Sequence, residues 1–167
     1  MRADPLRRIV RAGSLTALTD GLFSSVLSVA FYGSTVTRLF QGVASTLLGA
    51  SAFNGGVRTA IIGILMHIGV AFGWTAIFVL VVSRRAAVRR VLDSRYGWLK
   101  VAAIYGPFIW LVMSFAVIPA LVRRPPAVTV RWWVQLIGHF PFVGVPIVAA
   151  SSAGRRAPGA PFADTVR

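Results

Sequence analysis

The 167-residue chain contains no cysteine and only four acidic residues. The absence of cysteine excludes disulfides, thiolate catalysis and thiolate metal sites. Charged residues make up only 13% of the chain, whereas soluble domains carry about 25%. The sequence also has no CxxCH, no HExxH, no phosphate-binding loop and no serine elbow. Conventional hydrolase and nucleotide chemistry therefore have no support. The sequence favours a protein that is not an enzyme.

Four long apolar runs, each bounded by arginines, take up most of the chain. Hydrophobic residues account for 56% of the sequence, and the mean hydropathy is +0.75. Each run is long enough to cross a bilayer, which takes about 20 helical residues. The sequence therefore predicts an all-α polytopic membrane protein whose single domain, residues 1–150, is a four-helix transmembrane bundle. The spans are expected at about 14–34, 58–82, 100–122 and 131–150.

The segments between and beside these spans are shorter and more polar. Residues 1–11 are expected to form a basic arm, and residues 83–100 the main polar loop. Residues 38–53 are apolar but too short to span comfortably, which predicts a short interfacial or re-entrant helix. The turn chemistry of Asn54-Gly55-Gly56 predicts a break after it. Residues 151–167 have little to bury and are expected to form a disordered cytoplasmic tail.

The distribution of basic residues predicts the orientation. With four spans, 13 of the 18 lysines and arginines lie on the side of both termini and 5 on the other side. This asymmetry predicts that both termini are cytoplasmic. A fifth span at 38–53 would move the basic cluster of 83–100 to the other side and remove the asymmetry. The arginine clusters suit anionic lipid headgroups as a binding partner. Nucleic-acid binding is not predicted, because the soluble segments have no basic face with interleaved aromatic residues.

Asp20 is one of only three acidic or histidine residues inside the apolar runs. A charged group at the centre of a bilayer costs roughly 2.5–3.5 kcal/mol on insertion scales, so such residues should face protein. Other polar residues recur every four positions around it and share its helical face. They are Thr16, Ser24 and Ser28. Two interpretations stay open: a carboxylate that handles protons or cations, and a hydrogen-bonding group that only braces the bundle.

His67 is the second such residue, and it also lies on a stripe of small and polar residues. The others on the stripe are Thr59, Gly63, Ala71 and Thr75. Small side chains at this spacing let another helix approach closely. Gly69 and Gly73 form a further small-xxx-small motif, whose partner is either a helix of the same chain or a second subunit in a homo-oligomer.

His139 is the third, and it stands four residues after Gln135, so both can share an inward face. Pro141 and Pro146 follow, which predicts a kink in the fourth helix. Estimated depths put the two histidines on the same side of the midplane, so we expect them to meet. The same estimate puts Asp20 on the opposite side, which argues against a compact metal site of two histidines and one carboxylate.

A pair of histidines on facing helices has three interpretations. They can be neutral imidazoles that hydrogen-bond within the bundle, they can relay protons or line a small-solute path, or they can ligate haem b from both sides. The leading hypothesis is a bundle that handles protons or a small solute through an interior polar path. The alternatives are a non-catalytic structural or assembly subunit that acts through helix contacts, and a haem-binding electron-transfer protein. No other cofactor and no metal is predicted.

Three short motifs carry a family resemblance. Leu65-Met66-His67-Ile68 lies in a long helix that ends at Arg84-Arg85, Pro119 terminates the third helix, and Gly138-His139 opens the fourth. Over residues 59–156 the chain resembles small bacterial inner-membrane proteins of the YagU-like kind. The resemblance implies a location in the bacterial inner (plasma) membrane. It implies no activity.

Overall fold

The computed structural model describes residues 4–152, which contain eight α-helices and no strand. The helices are α1 Pro5–Val26, α2 Val36–Leu48, α3 Gly56–Leu80, α4 Ala86–Leu92, α5 Gly97–Val112, α6 Ile118–Val122, α7 Val130–His139 and α8 Val145–Ser152. The predicted all-α fold is therefore confirmed. The predicted disordered tail lies outside the described residues, apart from its first two residues, which end α8.

Four helical stretches are long and apolar enough to cross a membrane. They are Pro5–Phe31, Gly56–Arg84, Gly97–Val122 and Val130–Ser152. Three of them contain a π-helical turn, and these turns are Leu27–Phe31, Met113–Val117 and Phe140–Gly144. The predicted four-helix bundle and the membrane character are confirmed. The kink predicted for the fourth helix takes the form of the π turn at Pro141, which lacks the N–H that an α-helix needs.

The first helix begins nine residues earlier than the predicted start at Ser14, so the expected basic arm is wrong for most of its length. Asp4 caps the helix, because its Oδ1 atom accepts a hydrogen bond 3.0 Å long from the backbone N–H of Leu6. Pro5 follows at the first helical position, where its missing N–H has no cost. Capping, which hydropathy does not report, sets this boundary.

The short helix α2 does not span the bundle but packs against the first half of α3. The backbone carbonyl of Phe40 lies where a Cβ atom on Gly63 would be, so the two helices touch through their main chains. The Gln41 side chain donates to the carbonyl of Gly56 at 3.0 Å. Gly56 itself has φ +56°, in the left-handed region that glycine tolerates. The short helix predicted at 38–53 is thus present. It begins two residues earlier than expected, and after Leu48 it continues as the 3₁₀ turn Gly49–Asn54.

The segment 83–100 is less irregular than the predicted loop. It contains the short helix α4, whose alanine, arginine and leucine residues are good helix formers, and the first residues of α5. Tyr96, with φ +57°, makes the turn between them. Gly97 is required here because a Cβ atom would collide with the backbone of Val91.

The helices form a closed ring of contacts. The first helix, α1, lies between α3 and α8; α5 packs on α7 and α8; and α2 contacts both α3 and α6, which closes the ring. Alternating span directions give the bundle two ends. We call the end with Pro5, α4 and Ser152 the terminal face, and the end with residues 32–58 and 122–131 the distal face. Arg8 joins the first and last helices at the terminal face by donating to the carbonyl of Ser151 at 2.8 Å.

The half of the bundle nearest the terminal face is packed solid. Its core consists of residues from α3, α5 and the last span: Phe78, Val79, Ala102, Tyr105, Ile109, Val143, Ile147 and Val148. The Tyr105 hydroxyl donates to the carbonyl of Trp74 at 2.8 Å, which satisfies the polar group of this buried ring. Gly106 and Gly144 bring the backbones of the third and fourth spans into contact. This half closes the bundle beneath the polar residues described next.

Candidate functional site

Asp20 and His67 face each other across the contact between α1 and α3. The His67 Nδ1 atom lies 3.8 Å from the Asp20 Oδ2 atom, and each side chain is 17% exposed. The expectation that Asp20 could not reach the histidines directly is therefore wrong for His67. The cause is the earlier start of α1: with a span of Pro5–Phe31, the middle of the first helix falls near residue 18 rather than 24. Asp20 and His67 then lie at similar depth.

A main-chain carbonyl fixes the other side of the His67 ring. The Nε2 atom lies 3.0 Å from the carbonyl oxygen of Ala17. A carbonyl oxygen can only accept, so Nε2 carries a proton and donates it. Gly21 leaves room for the ring, since a Cβ atom there would lie 3.4 Å from Nε2. The second proton position of the imidazole, at Nδ1, consequently faces the carboxylate.

The second histidine is held within its own helix. His139, 7% exposed, has its Nδ1 atom 2.7 Å from the backbone carbonyl of Gln135. By the same argument Nδ1 donates, which leaves Nε2 as the acceptor of the neutral ring. The Trp110 ring packs against it, with centroids 4.7 Å apart. Gln135 uses its side chain elsewhere and donates to the Ser24 hydroxyl at 3.4 Å.

A single cavity joins these groups. Its volume is about 710 Å³, and its walls come from all four spans and from α2. Asp20, His67, Gln135 and His139 all line it. His139 lies within electrostatic range of both Asp20 and His67. The two histidines nevertheless have different ring neighbours, Phe40 for His67 and Trp110 for His139, so the expectation that they meet stays a prediction.

The stripe of α1 that carries Asp20 turns toward this interior. Thr16, which is fully buried, and Ser24 line the cavity together with Asp20. Ser28, also fully buried, accepts a hydrogen bond 2.8 Å long from Arg131 at the start of α7. On α3, by contrast, Gly69 and Gly73 meet no atom within 4 Å of the position of an added Cβ. Within residues 4–152, therefore, no helix packs on the two glycines of the small-xxx-small motif.

Two arginines lie at the distal end of the cavity. Neither is among the site residues predicted from the sequence. Arg131 projects from α7 and Arg38 from the first turn of α2, and both line the cavity. In the sequence, these two arginines contribute only to the count of basic residues that predicts the orientation. The one available signal is that Arg131 directly precedes the Trp132-Trp133 pair, where an interfacial anchor is expected. Trp110 and Trp132, whose rings lie 6.2 Å apart between these arginines and the deeper groups, were missed as well.

No cluster of three or more histidine, cysteine, aspartate or glutamate residues suited to a metal ion is found within residues 4–152. The arrangement instead offers proton chemistry. A neutral His67 with a protonated Asp20, and a charged His67 with an ionised Asp20, differ only in the position of one proton between Nδ1 and Oδ2. The Ala17 hydrogen bond is made by Nε2, so it does not depend on which of the two atoms, Nδ1 or Oδ2, holds the proton.

Comparison of the chain with protein-family models, curated proteins and solved structures finds no match. The resemblance to YagU-like proteins consequently stays a prediction.

Proposed function

We propose that this membrane protein binds a small solute in its interior cavity and exchanges a proton at the Asp20–His67 pair as the solute enters or leaves. The observation that carries the proposal is the position of the pair in the cavity wall, with the Nδ1 atom of His67 3.8 Å from the Oδ2 atom of Asp20. A change in the protonation of the pair changes the charge of the cavity by one unit, to which a bound solute responds strongly in a medium of low dielectric.

The cavity has the size and composition of a ligand site. About 710 Å³ falls within the usual range for small-molecule pockets, roughly 300–1,000 Å³. Its walls combine apolar side chains with a few polar groups, among them His139 and Gln135. The solid packing around Phe78 and Ile147 closes the bundle toward the terminal face. Passage across the membrane therefore requires this packing to open, and binding from the distal side does not.

Proton flux in vesicles tests the proposal. Purified protein is reconstituted into vesicles that enclose a pH-sensitive dye, and a pH step is applied outside. We expect the wild type to dissipate the gradient faster than empty vesicles, and Asp20→Asn to abolish this difference. Asp93→Asn, the same chemical change at an aspartate outside the cavity lining, is the matched control and should retain the flux. Equal flux in Asp20→Asn and the wild type, with both folded, would remove the carboxyl from any proton path.

A structural or assembly subunit is the second candidate, and the exposed motif on α3 favours it. Gly69 and Gly73 present a smooth surface that none of the helices in residues 4–152 covers. Small residues at this spacing let helices meet closely in membranes. If the vesicle experiment fails, cross-linking between cysteines placed at Gly69 in two copies measures whether the chain self-associates there. The same face is where the predicted homo-oligomer would form.

The haem alternative has weaker geometric support. Iron would need a nitrogen lone pair from each histidine, and the Nε2 atom of His67 is engaged by Ala17 while Nδ1 faces Asp20. An absorption spectrum of the purified protein decides this point, because haem b gives a Soret band. For location we retain the bacterial inner membrane with cytoplasmic termini, where the arginines of the terminal face would meet anionic headgroups.

A further inference from the structure

We propose that the solute of this cavity is an amphipathic anion, whose charged head binds Arg131 and Arg38 at the distal end and whose hydrocarbon chain lies along the apolar walls. This inference rests on the proposed function, because it names the class of solute that the same cavity takes.

The charge of the distal face selects an anion. Residues 32–58 and 122–131, which build this face, contain five arginines and no aspartate or glutamate. Two of the five, Arg38 and Arg131, line the cavity, whereas its single carboxylate, Asp20, faces His67 deeper inside. A cationic solute would meet two like charges at the entrance. An anion would meet two opposite charges and no competing carboxylate.

Arg131 is positioned in advance for this role. Its guanidinium donates to the Ser28 hydroxyl at 2.8 Å and lies over the Tyr32 ring, 4.8 Å from the centroid. The bond to Ser28 uses one of five N–H donors. The remaining donors form a planar fork that matches the oxygens of a carboxylate or phosphate. Because Ser28 and Tyr32 already hold the side chain, little further conformational entropy is lost when an anion binds.

Arg38 supplies the second positive charge from a different element. Its guanidinium lies over the Phe53 ring, 4.8 Å from the centroid. The hydroxyl of Thr35 caps α2 by accepting from the backbone N–H of Arg38 at 3.1 Å, which fixes the start of the helix. The side chain itself is exposed at the entrance. Arg38 can therefore make the first contact with an incoming headgroup, which then binds Arg131.

The interior walls suit a hydrocarbon chain rather than a small soluble anion. Beside and below the two arginines the cavity is lined by flexible or branched apolar side chains, including Val43, Met66, Met113, Val117 and Leu121. Methionine adapts to irregular apolar shapes because its side chain is unbranched and polarisable. A phosphate or sulfate ion without a chain would leave these walls uncovered. The headgroup chemistry fits either a carboxylate or a phosphate.

Tryptophan fluorescence tests the inference directly, because Trp110 and Trp132 line the cavity. The protein in a neutral maltoside detergent is titrated with 12-bromododecanoate, whose bromine quenches nearby indoles. The neutral 12-bromododecanol and a 12-bromododecyl trimethylammonium salt measure the background at exposed tryptophans. We expect saturable quenching by the anion beyond that background. Equal quenching by all three probes would overturn the proposal.

Variants identify the headgroup site. Arg131→Gln and Arg38→Gln should each weaken binding of the bromododecanoate about tenfold, the loss expected for one charge-assisted hydrogen bond. Arg131→Lys should retain part of the affinity. Arg58→Gln, on the distal face but outside the cavity lining, is the matched control and should bind as the wild type does. If Arg131→Gln does not fold, the exposed Arg38→Gln decides, and unchanged binding in that variant would overturn the proposal.

Three further outcomes separate the sources of the charge and the two proposals. Inorganic phosphate at the concentration of the probe should not displace it, and displacement would show that the cavity takes a free anion without a chain. Proton flux that persists without specific quenching would defeat only the assignment of the solute. Specific quenching without flux would leave an amphipath-binding protein and defeat the proton exchange.

Discussion

The His67 Nδ1 atom lies 3.8 Å from the Asp20 Oδ2 atom, while the Nε2 atom of the same ring lies 3.0 Å from the Ala17 carbonyl oxygen. The ring thus connects a carboxylate and a main-chain carbonyl on one helix to the next span. Its orientation is set by the carbonyl and does not depend on the carboxylate.

This arrangement predicts energetic coupling between the two side chains. Asp20→Asn should leave the free energy of unfolding unchanged or higher, because the amide needs less desolvation than a buried carboxylate. His67→Phe should lower it by about 1–3 kcal/mol, because it leaves the Asp20 carboxylate without its partner. In the Asp20→Asn background the same change should cost less. Unfolding in detergent of the two single variants and the double variant measures the coupling, and purely additive effects would contradict it.

The contact between α2 and α3 predicts that Gly63 cannot be enlarged. A Cβ atom at this position would collide with the backbone carbonyl of Phe40, so Gly63→Ala should destabilise the protein by about 1–3 kcal/mol, as overpacking does. Gly69→Ala, on the same helix with open space around it, is the matched control. Thermal unfolding of both variants checks the difference. Equal melting temperatures would mean that α2 does not pack on α3 in this way.

A hydrogen bond between spans should be worth more than one inside a helix. The Thr19 hydroxyl lies 2.7 Å from the Phe142 carbonyl in the π turn of the last span and 2.9 Å from the Leu15 carbonyl of its own helix, and it has one proton to donate. The Thr46 hydroxyl donates only within its own helix, to Val43. We expect Thr19→Val to cost about 0.6 kcal/mol, the average for such bonds in membranes. Thr46→Val should cost less. A larger loss in Thr46→Val, measured by the same unfolding assay, would show that the last span is not held at Phe142.

The basic residues predict the orientation, which reporter fusions can measure. Fusions at residue 95 and at the C-terminus should report a cytoplasmic location, and a fusion at residue 126 a periplasmic one, because 13 of 18 basic residues lie on the side of the termini. A periplasmic signal at residue 95 would overturn the orientation.

The sequence was sufficient for the number and order of the spans. Length and apolar composition decide whether a helix crosses a bilayer, and arginines or prolines mark the ends. The third span, for example, ends at Val122 just before Arg123-Arg124-Pro125-Pro126, as predicted. The start of the first helix was missed because a capping aspartate, not hydropathy, decides it. That error of nine residues moved the estimated midpoint and separated Asp20 from His67.

The contacts of the site could be predicted only in part. Helical periodicity correctly gives the face of Thr16, Asp20 and Ser24, because it depends only on local geometry. It cannot say which helix faces that stripe. The approach of Arg131 to Ser28 depends on the closed ring of helices, and the partners are 103 residues apart in the chain. The hydrogen bond from His67 to the Ala17 carbonyl cannot be predicted from the sequence, because every residue has a backbone carbonyl.

The closed ring also determines the order in which the first helix finds its partners during synthesis. Ser28 and Thr19 bond to residues 103 and 123 positions later, so at about 5–20 residues per second they wait roughly 5–25 s for the last span to leave the ribosome. His67 emerges much sooner. We expect a ribosome-bound chain halted near residue 110, when α3 has left the exit tunnel, to hold α1 and α3 as an inserted pair already. Insertion of α1 in such halted chains should require His67 when residue 20 is aspartate and should not require it in the Asp20→Asn variant. Glycosylation mapping of halted chains measures this insertion. On this expectation, pairing with His67 lets the Asp20 carboxyl group enter the lipid before the last span has been made.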